Sequence, residues 1–151
     1  MSDISLFFKA ETIAKSYHQG QMYGNKDYFS SHIEDVISET ADLLNKYFTT
    51  DNDCINVLCV AAMHDVLEDT DCQVSDLEAD FYEEVIHSIV LLSKNISTED
   101  YLENIKSNKY AKVVKIADSR CNMNACIKQG DYNRAKKYLK NLCYLEQQHE
   151  M

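Results

Sequence analysis

The sequence predicts an all-α fold, and three observations carry that prediction. The chain of 151 residues contains no proline and only three glycines, Gly20, Gly24 and Gly130, so helix breakers and tight turns are scarce. Apolar residues recur at spacings of three and four along most of its length. One segment, "CINVLCVAAMHDVL" at 54–67, is apolar nearly all round, which marks a central buried helix.

Leu6, Ala10, Ile13, Ala14 and Tyr17 form the first helical stripe, and "GQMYGNKD" with its two glycines interrupts it as a loop. Ile33, Val36, Ile37, Thr40, Leu44 and Tyr47 mark a second helix, with Ser30 or Ser31 as its N-cap. After the central segment, "TDCQVSDLEADF" starts a short helix capped by Ser75, and "YEEVIHSIVLLS" carries another. "SKNISTED" is a loop before the helix of "YLENIKS". "KYAKVVKIADSRCNM" gives a stripe of Tyr110, Val114, Ala117 and Cys121; a strand over "AKVVKIA" ranks below the helix. A last amphipathic helix spans about 132–148, where Tyr138, Leu142 and Leu145 form core or a homodimer seam.

Length and an apolar content of 45% fit a single domain over residues 1–151 with a substantial core. The net charge of −10 argues against a nucleic-acid binder, since no basic stripe exists to release counterions from a phosphate backbone. A small phosphorylated ligand stays compatible with that charge if a metal or local lysines offset it. The N-terminus has neither a basic n-region nor an apolar h-region, and no stretch reaches membrane-spanning length. Six scattered cysteines without a CxxC pair, in a chain with no export signal, fit a reduced, cytoplasmic protein with cysteines in its core.

The chemistry concentrates in "AAMHDVLEDT" at 61–70. Four ionisable groups, His64, Asp65, Glu68 and Asp69, end the most hydrophobic segment of the chain. Helical spacing stacks His64 on Glu68 and Asp65 on Asp69. Buried charge is costly unless paired or bound to a metal. His32, one turn before Val36, and Asp118, one turn after Val114, face inward by the same spacing and complete a set of two imidazoles and two carboxylates. Such a set suits Mn²⁺, Fe²⁺, Zn²⁺ or Mg²⁺ and leaves positions for water and substrate. Each residue also has a plainer account: a core histidine for His64, a solvated helix end for Glu68 and Asp69, an ion pair with Lys115 or Arg120 for Asp118. Together those accounts require several unrelated coincidences.

The order of motifs resembles the HD-domain phosphohydrolases of RelA/SpoT type, over about residues 14–123. It is carried by "HQGQ" at 18–21, His32 fourteen residues after His18, "HDVLEDT" at 64–70 and "VKIADSRCNM" at 114–123. The segment "TEDYLENIKSNKYAKVVKIAD" is similar to small stand-alone members that lack a synthetase domain. The resemblance implies a compact HD-domain bundle with His32, His64, Asp65 and Asp118 as ligands of a metal, usually Mn²⁺. It implies that Glu68 and Asp69 activate the attacking water and that Asn122 contacts the nucleotide. A divalent ion lowers the pKa of water and neutralises phosphoryl oxygens, and adjacent carboxylates take the proton.

The implied reaction is hydrolysis of (p)ppGpp at its 3′-pyrophosphate, giving GDP or GTP plus pyrophosphate. Rivals are the same chemistry on another nucleotide such as NADPH, and a nucleotide-binding sensor without turnover. The chain departs from the family twice. Tyr23 and Gly24 stand where alarmone hydrolases carry a basic R-K pair, and Asn124 and Ala125 stand where R-T often follows N-M. Tyr23 then either stacks on the base in place of a guanidinium plane, with looser purine selectivity, or is a loop tyrosine with no ligand. Lys115 and Lys94 either meet phosphate or are ordinary surface lysines, and His18 either orients the site or makes a structural hydrogen bond. His87 and His149 read as helix-surface residues.

Overall fold

A computed structural model describes residues 3–94 and 100–147 and is almost wholly helical, as the sequence predicts. Helix α1 (Ile4–Tyr17) begins where Asp3 accepts from the Ser5 amide at 2.9 Å. Helix α2 (Glu34–Tyr47) follows a short connection, and α3 (Asp51–Met63) is capped by Thr50, whose hydroxyl accepts from the Asp53 amide at 3.1 Å. Helices α4 (Val66–Asp69) and α5 (Val74–Glu78) are short; α6 (Glu83–Leu92) and α7 (Tyr101–Lys106) precede the long α8 (Lys109–Lys128) and α9 (Tyr132–Glu146). Helix α3 is the axis of the bundle: α1, α2, α6 and α8 all pack on it, and Val57, Cys59, Val60, Ala61, Ala62 and Met63 have no exposed surface. That all-round packing explains why its sequence is apolar on every face. Asn108 caps α8 by accepting from the Tyr110 and Ala111 amides, and the segment ranked below helix as a strand lies inside α8. Gly130, at φ +76, ends α8 in the left-handed region and lets Asp131 cap α9.

The structure corrects the sequence reading in four places, and three of them build the site. The loop over "GQMYGNKD" contains a two-residue hairpin, β1 (Met22–Tyr23) against β2 (Lys26–Asp27), turned by Gly24 at φ +64. The second helix is not capped by Ser30 or Ser31. Asp27 does this by accepting from the Ser30 amide and hydroxyl at 3.0 Å, and Ser30 and Ser31 sit inside a π-helical turn, Phe29–Ile33, closed by the Glu34 amide on the Phe29 carbonyl. The central helix is not continuous over 54–67. It breaks at His64 and Asp65, where Asp65 adopts φ −105 and ψ −1, and α4 restarts at Val66. Finally, α5 is capped by Gln73 in a capping box with Asp76 rather than by Ser75.

All six cysteines carry free thiols: Cys59, Cys72 and Cys126 are buried, Cys54 and Cys121 half-buried, and Cys143 exposed. No helix among the described residues is long and apolar enough to cross a membrane. Gln148, His149 and most of the "SKNISTED" loop lie outside the described residues.

Candidate active site

The breaks and turns just described converge on one cavity of about 280 Å³. The π-helical turn delivers His32, the α3–α4 break delivers His64 and Asp65, α4 delivers Glu68 and Asp69, and the middle of α8 delivers Asp118. A wide π turn or a broken helix re-aims side chains that a regular α-helix would leave on its flank.

His32, His64 and Asp118 are buried, and one ligand atom from each lies within 4.8 Å of the others. His32 Nε2 is 2.9 Å from Asp118 Oδ1. His64 Nε2 lies 3.4 Å from the same oxygen and 3.1 Å from Asp65 Oδ2, which is 3.9 Å from His32 Nε2. Asp65 also belongs to a second group with Glu68 and Asp69. It therefore joins the histidines to the acid pair.

The orientation of His64 is decisive. Its Nδ1 is 2.7 Å from the Ala61 carbonyl, which can only accept, so Nδ1 carries the proton. Its buried Nε2 makes no hydrogen bond, although two carboxylate oxygens face it. A neutral imidazole would aim a lone pair at two negative charges. A cation has to stand between them, either a proton on Nε2 or a metal ion. Burial alone would lower the pKa of His64, but Asp65 and Asp118 outweigh it and hold the ring well above the ordinary imidazole value. Burial would likewise raise Asp118, yet the hydrogen bond with His32, His64 beside it and Lys115 hold it well below the carboxylate range. Lys115 Nζ lies 3.7 Å from Asp118 Oδ2. Two imidazole nitrogens and carboxylate oxygens at these spacings can bind a divalent ion.

Around this centre the structure adds residues that the sequence reading left out. The buried Tyr28 donates to Asp65 Oδ2 and lies 3.4 Å from Asp69 Oδ2, tying the two carboxylates together. Desolvation, with Asp65 and Glu68 nearby, pushes Asp69 up to about 6, so this carboxylate exchanges protons near neutral pH. Glu68 Oε1 accepts from the Lys94 amide at 2.6 Å, which anchors it to the end of α6. Lys94 and Lys115 both set their ammonium groups over the Tyr101 ring, at 5.6 and 5.4 Å. Arg134, Lys137, Tyr138 and Asn141, spaced as one face of α9, close the far wall of the cavity. Tyr138 therefore lines the cavity, whereas Leu142 and Leu145 are core. Spacing alone could have shown that α9 carries this polar face; nothing local to it tells which cavity the face meets.

Tyr23 and Asn122 also reach the cavity, in an arrangement the sequence did not foresee. The Tyr23 ring lies on His32, with centroids 4.9 Å apart and planes 16° apart, so one of its faces is covered. Its hydroxyl donates to Asn122 Oδ1 at 3.0 Å, and Asn122 Nδ2 donates to Asp118 Oδ1 at 3.2 Å. His18 is buried against Tyr28, with Nδ1 2.7 Å from Gln21 Oε1, and burial lowers its pKa.

Among solved structures, the chain is similar to a metazoan ortholog of SpoT that hydrolyzes ppGpp and plays a role in starvation responses. The two align with a TM-score of 0.69 at 21% identity, covering 96% of this chain and 87% of that one. The chain has that fold. It is the fold that the HD motifs imply, and the alignment spans nearly the whole of both chains. No protein-family model and no curated protein matches the sequence.

Proposed function

We propose that the chain is a metal-dependent phosphohydrolase of a small nucleotide, with (p)ppGpp as substrate and GDP or GTP plus pyrophosphate as products. The observation that carries this reading is the cluster of His32, His64 and Asp118 ligand atoms within 4.8 Å of one another, in which the buried His64 Nε2 faces oxygens of Asp65 and Asp118 at 3.1 and 3.4 Å. The ligands are His32, His64, Asp65 and Asp118, with Mn²⁺ as the proposed ion. When bound, a divalent ion lowers the pKa of water and neutralises phosphoryl oxygen. Glu68 and Asp69 take one proton from the water whose oxygen joins phosphorus, and the bond between that phosphorus and the ribose 3′-oxygen breaks. The 3′-oxygen recovers a proton, so water is split across the ester. Lys94, Lys115, Lys137 and Arg134 bring four cations to one cavity of a chain with net charge −10, and this concentration suits a polyanionic substrate. The fold it shares with a protein that hydrolyzes ppGpp supports that substrate.

Chromatography of products after incubation with Mn²⁺ and a nucleotide panel that includes ppGpp, pppGpp and NADPH tests the proposal. The expected result is GDP or GTP with stoichiometric pyrophosphate. Turnover of another nucleotide with ppGpp inert would reassign the substrate, and binding without turnover across the panel would make the chain a sensor.

A further inference from the structure

We infer that Tyr23 is a positioning residue that braces the His32–Asp118 pair, and that it does not read the base of the nucleotide; the inference rests on the metal-dependent reading above. Three contacts point this way. The near-parallel ring, 4.9 Å from His32, restrains the plane of the imidazole whose Nε2 meets Asp118. The second contact runs through Asn122, and its polarity is fixed by chemistry. A carboxylate only accepts, so the amide nitrogen of Asn122 must face Asp118 and its oxygen must face Tyr23. The hydroxyl of Tyr23 therefore has to donate, and it locks the Asn122 amide in the one orientation that supports Asp118. Thirdly, the Tyr23 ring meets Tyr28 edge-on at 5.9 Å, and Tyr28 holds Asp65.

The backbone makes these contacts one unit. The ladder of β1 and β2 pairs Tyr23 with Lys26 and Met22 with Asp27, and the Tyr28 amide bonds the Gln21 carbonyl at 2.9 Å. Asp27 in turn caps the π-helical turn that carries His32. The hairpin thus fixes the distance between Tyr23 and the histidine on which it lies. With one face on His32 and its hydroxyl on Asn122, the ring cannot follow a bound base without releasing both partners. At the position where the resemblance to alarmone hydrolases implies a cation, this chain has an internal strut.

The test compares Mn²⁺ affinity, measured by titration calorimetry and by Mn²⁺ electron paramagnetic resonance, with ppGpp kinetics for wild type, Tyr23→Phe and Tyr23→Ala. Groups that support metal ligands from behind change metal affinity by about 10–100-fold. Tyr23→Ala, which loses both the stack and the hydrogen bond, should fall near the upper end. Tyr23→Phe, which keeps the stack, should fall near the lower end. In both, kcat should drop while KM for ppGpp at saturating Mn²⁺ holds within about twofold. A rise in KM with kcat and Mn²⁺ affinity unchanged would overturn the inference and make Tyr23 a base platform. If Tyr23→Ala fails to fold, wild-type Mn²⁺ affinity in Tyr23→Phe overturns it. Wild-type protein that binds no Mn²⁺ defeats the metal reading and the inference together, whereas tight wild-type binding with both variants unmoved defeats the inference alone.

Discussion

Helices α3 and α8 meet through polar side chains at two levels. Near their N-terminal ends, Tyr110 donates to Asp53 at 2.6 Å, Asn56 donates to the Tyr110 hydroxyl at 3.1 Å, and Lys109 lies 3.1 Å from Asp53. Just past the end of α3, and further along α8, His64, Asp65 and Asp118 meet with His32. At the first level Lys109 balances Asp53, Asn56 also donates to Glu84 at 3.5 Å, and the hydroxyl, amide and carboxylate are each used. At the second, Asp65 and Asp118 face two imidazoles, Glu68 and Asp69 lie beside Asp65, and the buried His64 Nε2 is left without a hydrogen bond. Most buried polar groups that serve only the fold are satisfied; Thr40 Oγ1, Ser119 Oγ and His18 Nε2 also lack a partner, but His64 Nε2 faces two carboxylate oxygens at 3.1 and 3.4 Å. The upper level violates that rule where a cation would restore it, so the same pair of helices separates a structural contact from a site.

The most severe way to break the contrast is Asp118→Ala, because Asp118 is shared by His32, His64, Lys115 and Asn122. Turnover should fall to background, and metal analysis of the purified variant should find no bound ion. Wild type in Mn²⁺ at a hundred times its Kd should gain about 2.7 kcal/mol. In a chain of this length that corresponds to a Tm rise of about 5–10 °C. The variant should show no Mn²⁺-dependent rise at all. Full metal occupancy in Asp118→Ala would sink the ligand assignment.

Glu68→Gln and Asp69→Asn sharpen the contrast within the site itself. Both residues lie beyond the histidines, and desolvation, with Asp65 and Glu68 adding to it, pushes Asp69 up to about 6. Each substitution should cost about two to four orders of magnitude in kcat, the usual scale of general acid–base assistance. Mn²⁺ affinity and KM should stay near wild type. Wild-type rates in both variants would reduce the pair to a solvated helix end that anchors the Lys94 amide.

The contrast also explains what the sequence could disclose. Helices α3 and α8 were legible because the absence of proline and the apolar periodicity are local properties. His32, His64, Asp65 and Asp118 were legible as candidates because inward-facing polar residues stand out against an apolar stripe. The break after Met63 was not, since nothing in His-Asp itself stops a helix; it follows from the site that the two side chains must face. Tyr28 was missed because its role exists only across the bundle, where it touches Asp65 and Asp69. The basic face of α9 reads locally as an ordinary solvated surface, and only its packing on α8 turns Arg134 and Lys137 toward the cavity. Tyr23 stands out in the sequence because it replaces an expected basic residue, but sequence cannot show that His32 lies against its ring.

The lower level gives a smaller and purely structural prediction. Tyr110→Phe removes the donor to Asp53 and should cost about 1.5–3 kcal/mol of stability, the range for a hydrogen bond to a charged group. Because the Tyr110–Asp53 contact lies at the other end of α3, kcat and Mn²⁺ affinity should not change. Urea denaturation alongside the ppGpp assay checks both statements. A loss of turnover without a loss of stability would mean that the two levels are coupled.

The smallest effect is a pH dependence. The hydrogen bond from Tyr110, with Lys109 alongside, lowers the pKa of Asp53 below its ordinary value of 3.8 despite partial burial. A carboxylate with a lower pKa folded than unfolded stabilises the fold above the unfolded value, and that contribution disappears as pH falls through the folded value. Asp53→Asn, which keeps an acceptor for Tyr110 but cannot ionise, should therefore be less stable than wild type at pH 5–7. The gap should close as pH drops below about 4. Other lowered carboxylates, Asp65 and Asp118 among them, destabilise both proteins in acid, so the difference between the two urea midpoints is the quantity that reports Asp53. A gap that stayed constant from pH 7 to pH 3 would show that Tyr110 and Lys109 do not favour the ionised carboxylate. The lower level would then hold α3 and α8 together by packing and neutral hydrogen bonding alone.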